Sequence, residues 1–176
     1  MAMTSSSGSS RPDRHTIRLW ASNDSMRVYG VLAIVLLVGV AMRCWDLARA
    51  PQYFADEVFA AVSAHNLVLN GTDLTGSIAH PLSYISDVLN GSAVLATFGL
   101  ASVTALRVLS VLFGTVVIFG IFLIGKELRS SVLGLSAAAA AATMPWAIYY
   151  SRIYFGAGEV LATSTMGLYC LLLNQG

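Results

Sequence analysis

Residues 28–42 read VYGVLAIVLLVGVAM, fifteen positions without a charge. Arg27 stands before this run, and Arg43, Cys44 and Trp45 stand after it. A run of this kind extends to a helix of about 20 residues, Met26 to Trp45, which matches the roughly 30 Å hydrocarbon layer of a bilayer. The flanking arginines can carry their guanidinium groups to the two interfaces, and Trp45 suits the aromatic belt. Three further apolar stretches repeat the pattern: Leu106 to Gly125, closed by Lys126-Glu127-Leu128-Arg129; Val132 to Tyr150; and about Gly156 to Leu173. The sequence therefore predicts an all-α, polytopic helical membrane protein with about four transmembrane helices.

Composition points the same way. Hydrophobic residues make up 56% of the 176 positions and charged residues 11%, less than half the charged share of an ordinary soluble domain. Mean hydropathy is +0.72. A formal net charge of +1 leaves no basic face for phosphate backbones, which argues against a nucleic-acid partner. Two cysteines, Cys44 and Cys170, lie on separate apolar runs, so no disulfide framework is implied and no thiol has the spacing of a zinc cluster.

Residues 1–26 are rich in Ser and Gly, carry Arg11, Arg14 and Arg18, and show no apolar periodicity. They read as a disordered tail, placed in the cytoplasm by its arginines. Ala48-Arg49-Ala50 resembles a signal-peptidase site, but Arg43, Asp46 and Arg49 crowd it and the tail is long for an n-region. The rest, 27–176, forms one membrane portion whose first loop, 46–105, lies outside the cytoplasm.

Within that loop, Pro51 is expected to end the first helix and Asp56 to act as N-cap of a second, which runs to about Leu69 before Gly71 breaks it. From Pro81 to Ser102 the chain is ambiguous. Val88 to Ala101 is apolar enough to span, whereas Leu82, Ile85 and Leu89 share one face with Ser83, Ser86 and Asp87 elsewhere, as in a helix lying in the interface. Either topology leaves six of the ten Lys and Arg cytoplasmic, so charge does not choose between them; the amphipathic half favours the interface.

Asp56-Glu57 carries two readings. The plain one is capping and favourable charge at a helix N-terminus, worth about 1 kcal/mol. The chemical one is a carboxylate at the membrane surface acting as general base on an acceptor hydroxyl. Arg43 and Arg152 are interface anchors or, alternatively, contacts for a substrate phosphate. Glu159, near the start of the last apolar run, needs a partner or a wet cavity at membrane depth; it is either a wall of the site or paired, with Arg152 the nearest candidate. His80, before Pro81, is a further candidate contact. His65 reads as packing or solvent-facing. Asn70-Gly71-Thr72 and Asn90-Gly91-Ser92 match glycosylation sequons and matter only in an endoplasmic reticulum.

Arg43-Cys-Trp45-Asp-Leu47, Pro51 and Phe54-Ala-Asp56-Glu57 together resemble the start of the GT-C membrane glycosyltransferases, closest to the protein mannosyltransferase and aminoarabinose transferase-like group. Gly71-Thr-Asp-Leu-Thr-Gly76, His80-Pro81-Leu82-Ser-Tyr84, Phe98-Gly99-Leu100, Ala105 to Ser110, Met144-Pro145-Trp146 and Tyr150-Ser151-Arg152 are similar to later pieces of that pattern, in order, over about residues 40–165.

The resemblance implies transfer of a sugar, with inversion, from a polyprenyl-phosphate carrier to an acceptor hydroxyl on a protein, lipid or glycan at the extracytoplasmic face. It assigns Asp56 as base and Glu57 to position the acceptor or help bind a divalent metal. It matches Arg107 to a family arginine, in a site that must stabilise the leaving phosphate with cations. It also favours the interfacial placement of 82–102. Family members are far longer, so the resemblance further implies an N-terminal piece of a larger or split enzyme, with little activity alone. The alternative class is a small non-enzymatic membrane protein, an assembly partner or lipid-binding subunit.

Overall fold

The computed structural model describes residues 14–49, 55–72, 102–154 and 157–175. Among them are six helices: α1 (Arg14–Cys44), α2 (Ala55–Asn70), α3 (Val103–Leu128), α4 (Ser131–Thr143), α5 (Pro145–Tyr150) and α6 (Ala157–Leu173). The all-helical expectation holds for these residues. Two helical segments, Ser25–Cys44 and Val103–Leu128, are long and apolar enough to cross a bilayer; Ser131–Thr143 and Gly158–Leu173 are apolar but shorter.

Helix α1 begins at Arg14, inside the stretch expected to be a disordered tail before Met26. No Pro or Gly occurs between Arg14 and Tyr29, so nothing in the backbone chemistry stops the helix at the edge of the apolar run. Its other end is set earlier than Pro51. Trp45 N–H still bonds Ala41 O, then Asp46 takes the left-handed conformation at φ 50°, which a short polar side chain tolerates better than most. Two tight turns, Leu47 N–H to Cys44 O and Arg49 N–H to Asp46 O, carry the chain away.

Helix α2 begins at Ala55, so Asp56 lies within its first turn instead of occupying the N-cap position expected from sequence. Gly71, at φ 64°, ends it as expected, because that backbone conformation costs glycine little. Helix α3 is capped by Ser102, whose hydroxyl accepts from Ala105 N–H at 3.2 Å, and α4 by Ser130, which accepts from Leu133 N–H at 3.3 Å. The expected single span from Val132 to Tyr150 is two helices. Pro145 disfavours helical backbone at the residue before it, and Met144 is extended (φ −63°, ψ 122°). Pro145 then opens α5, where its missing N–H is harmless.

Helix α3 is the element on which α1, α4 and α6 pack. Leu32, Ile118, Phe122, Ala138 and Ala142 form a core shared by α1, α3 and α4. The α3–α4 hairpin closes through glycines: a methyl on Gly125 would sit 2.7 Å from Gly134 Cα, and one on Gly134 would collide with Phe122 O. On the opposite side, Thr165 of α6 fills the space over Gly120. The outward faces stay apolar, with Ile34, Leu37, Leu112, Val160 and Leu171 exposed.

Candidate functional site

The first turns of α2 and α3 meet at a buried ion pair. Arg107 Nε donates to Glu57 Oε1 at 2.9 Å, and Nη2 donates to Oε2 at 2.7 Å; both side chains are 0% exposed. Arg107 Nη1 donates to the carbonyl of Leu47 at 3.0 Å, in the turn that leaves α1. Glu57 Oε1 also accepts from the backbone N–H of Tyr154 at 2.9 Å. Four separate parts of the chain are thereby joined: the turn after α1, the start of α2, the start of α3 and the segment after α5. The fork of a guanidinium matches a carboxylate at both oxygens, which makes such a pair strong and directional.

Tyr154 extends the cluster. Its hydroxyl lies 3.1 Å from Glu159 Oε1, and both residues are buried. Arg152 donates through Nη2 to the carbonyl of Trp45. Of the residues expected in a site, Glu57, Arg107 and Glu159 are therefore joined through Tyr154, with Arg152 tied to the nearby end of α1. Asp56 has its backbone in the first turn of α2, and its side chain lies outside the described residues, as do His65's side chain and all of His80.

A divalent metal does not fit Glu57 as it stands. Both oxygens already accept from a guanidinium, and a metal ion there would face that positive charge directly. Among the described residues no three His, Cys, Asp or Glu side chains converge on a point that could hold a metal.

Arg43 stands apart, two turns further along α3. It is 1% exposed and donates to three carbonyls: Gly39 and Ala142 through Nη1, both at 3.0 Å, and Ala141 through Nη2 at 3.1 Å. Pro145 has no N–H, so it leaves Ala141 O without the donor an uninterrupted helix would supply, and the guanidinium takes that place. Gly114 lets α3 come close: a methyl there would be 2.7 Å from Ser151 Cβ and 3.3 Å from Arg43 Nε.

Arg43 also walls a cleft of about 490 Å³, with Ser110, Val117, Ile121, Met144, Trp146 and Leu161 among its other lining residues. Gly114 and Tyr154 had no distinguishing signal in the sequence, and Ser110 and Ser151 entered only as parts of longer matched stretches; chain closure gives all four their neighbours.

Compared with known proteins, the chain matches no family model, no curated protein and no solved structure.

Proposed function

We propose that this chain crosses the membrane four times, through α1, α3, the broken α4–α5 unit and α6, with its N-terminus in the cytoplasm and the segment 46–105 outside. In this reading it belongs to a GT-C-type glycosyltransferase of the mannosyltransferase-like kind. Two helices of sufficient length and apolar outward faces support the membrane part. At about 1.5 Å per residue, the 26-residue α3 reaches about 39 Å, and the shorter α4 approaches membrane thickness only together with α5.

The reaction is sugar transfer from a polyprenyl-phosphate donor to a hydroxyl of a protein, lipid or glycan acceptor. Asp56 takes the hydroxyl proton while the oxygen attacks the anomeric carbon from the face opposite the phosphate. The carbon–oxygen bond to the phosphate breaks, and the lipid phosphate leaves with the electron pair. The observation that carries this reading is the Glu57–Arg107 pair, which fixes the turn of α2 bearing Asp56 against the ends of α1 and α3. Arg107 is committed to Glu57, so it serves by positioning that turn. Arg43 is likewise committed, to three carbonyls, so stabilising the leaving phosphate falls to the remaining candidate cation, Arg152.

The test is Asp56→Asn in membranes containing the intact protein and a polyprenyl-phosphate sugar. Transfer is expected to fall by about 10²-fold or more with unchanged membrane insertion. Full transfer by the variant would sink the assignment.

The non-enzymatic alternative, an assembly partner or lipid-binding subunit, draws on the complete burial of Glu57 and Arg107, as befits a purely structural pair. It expects Asp56→Asn to be silent.

A further inference from the structure

The cleft beside Arg43 has the form of an amphiphile site. It follows α3 from Ser110 to Ile121, eleven residues and about 16 Å. Arg43, Ser110 and Ser151 lie toward the end where α1 finishes and α3 starts; Val117, Ile118 and Ile121 continue toward the Gly125–Gly134 hairpin. Its mouth is formed by Trp146, Tyr150 and Leu161, all more than half exposed, with the Trp146 and Tyr150 rings stacked at 5.9 Å. The cleft therefore opens sideways, between helices whose outward faces are apolar.

At its polar end, Arg43 carries a full positive charge. Among the described residues no carboxylate pairs with it, and its Nε is buried without a hydrogen-bond acceptor. The three carbonyls and the negative end of α4 offset part of the cost of burial, but none bears a formal charge. A buried guanidinium calls for a counter-ion.

We propose that the cleft binds one acidic phospholipid drawn laterally from the bilayer, its phosphate acting as the counter-ion of Arg43 and one acyl chain lying along Val117, Ile118 and Ile121. The proposal rests on the membrane reading and not on sugar transfer. The site requires a single negative head beside the guanidinium and a chain in the apolar length of the cleft; a zwitterionic head brings its own cation against Arg43.

Lipid retention by the purified full chain, read by native mass spectrometry after exchange into mixed micelles, tests this. Phosphatidylglycerol is expected to be retained about tenfold over phosphatidylcholine, in line with one charge-assisted hydrogen bond. Arg43→Gln is expected to abolish the preference. Arg43 also holds the end of α4, so Ile121→Trp provides a second variant. It fills the apolar end, and is expected to lower retention of both lipids while leaving the helical circular dichroism unchanged.

Equal retention of the two lipids by the wild type overturns the proposal. So does an Ile121→Trp variant that binds as the wild type does, or retention of farnesyl phosphate with none of phosphatidylglycerol. No sugar donor enters the measurement, so failure of lipid retention and failure of glycosyl transfer are separate results.

Discussion

Glu57 and Arg107, fifty positions apart in sequence, form a two-point ion pair with no exposed surface on either side chain. Among the described residues, further bonds reach Leu47 O and Tyr154 N–H, so the pair joins chain segments that share no helix. Burying two charges is costly, and removing one partner leaves the other uncompensated.

Glu57→Leu and Arg107→Met are each expected, alone, to destabilise the protein by about 3–5 kcal/mol. The pair Glu57→Leu with Arg107→Met is expected to be more stable than either single variant, because it leaves no orphaned charge. Thermal unfolding in detergent measures all three. Additive losses in the double variant would show that the two groups do not interact.

The glycines divide by what surrounds them. Gly134→Ala drives a methyl into Phe122 O and is expected to cost about 1–3 kcal/mol by forcing α3 and α4 apart. Gly167→Ala meets nothing within 4 Å on α6 and is expected to be neutral or stabilising by about 0.5–1 kcal/mol. Comparable unfolding temperatures for the two variants would refute the tight α3–α4 crossing.

Pro145→Ala restores an N–H at the break between α4 and α5. That N–H competes with Arg43 for Ala141 O, so α4 is expected to run on into α5. Hydrogen exchange should show new protection at residues 145 and 146. Unchanged exchange would mean that packing of α5, and not the proline, holds the break at Met144.

Topology can be read by thiol labelling after Cys44 and Cys170 are replaced by Ala. In intact cells an impermeant maleimide is expected to label Asn70→Cys, at the end of α2, and to spare Ser130→Cys, in the turn between α3 and α4. Labelling of both, or the reverse pattern, contradicts the proposed orientation.

Much of the helix layout was legible along the chain because it depends on local chemistry. Apolar runs marked α1, α3 and α6, and Gly71 marked the end of α2 through its freedom at positive φ. The division of the third stretch was also legible in principle, since Pro145 constrains Met144 whatever surrounds it; the alanine run and aromatic cluster concealed a break that a single proline produces.

Charge pairing was not legible. Glu159 had Arg152 as its nearest basic neighbour in sequence, yet the described contact to its carboxylate comes from the Tyr154 hydroxyl, and Arg152 reaches the carbonyl of Trp45. Glu57 had equal claims on several cations until α2 and α3 were brought together. Arg43, at the end of an apolar run, looked like an interface anchor and is instead folded inward onto the carbonyls that Pro145 leaves open.

Periodicity and backbone restriction act over a few residues; they placed the apolar parts of α1, α3 and α6 and the end of α2, but not the start of α1 or the break at Met144. Which buried charge meets which partner depends on side-chain atoms approaching within about 3 Å across segments far apart in the chain. That is settled by how Gly114, Gly120, Gly125 and Gly134 allow the helices to close, and no local pattern encodes it.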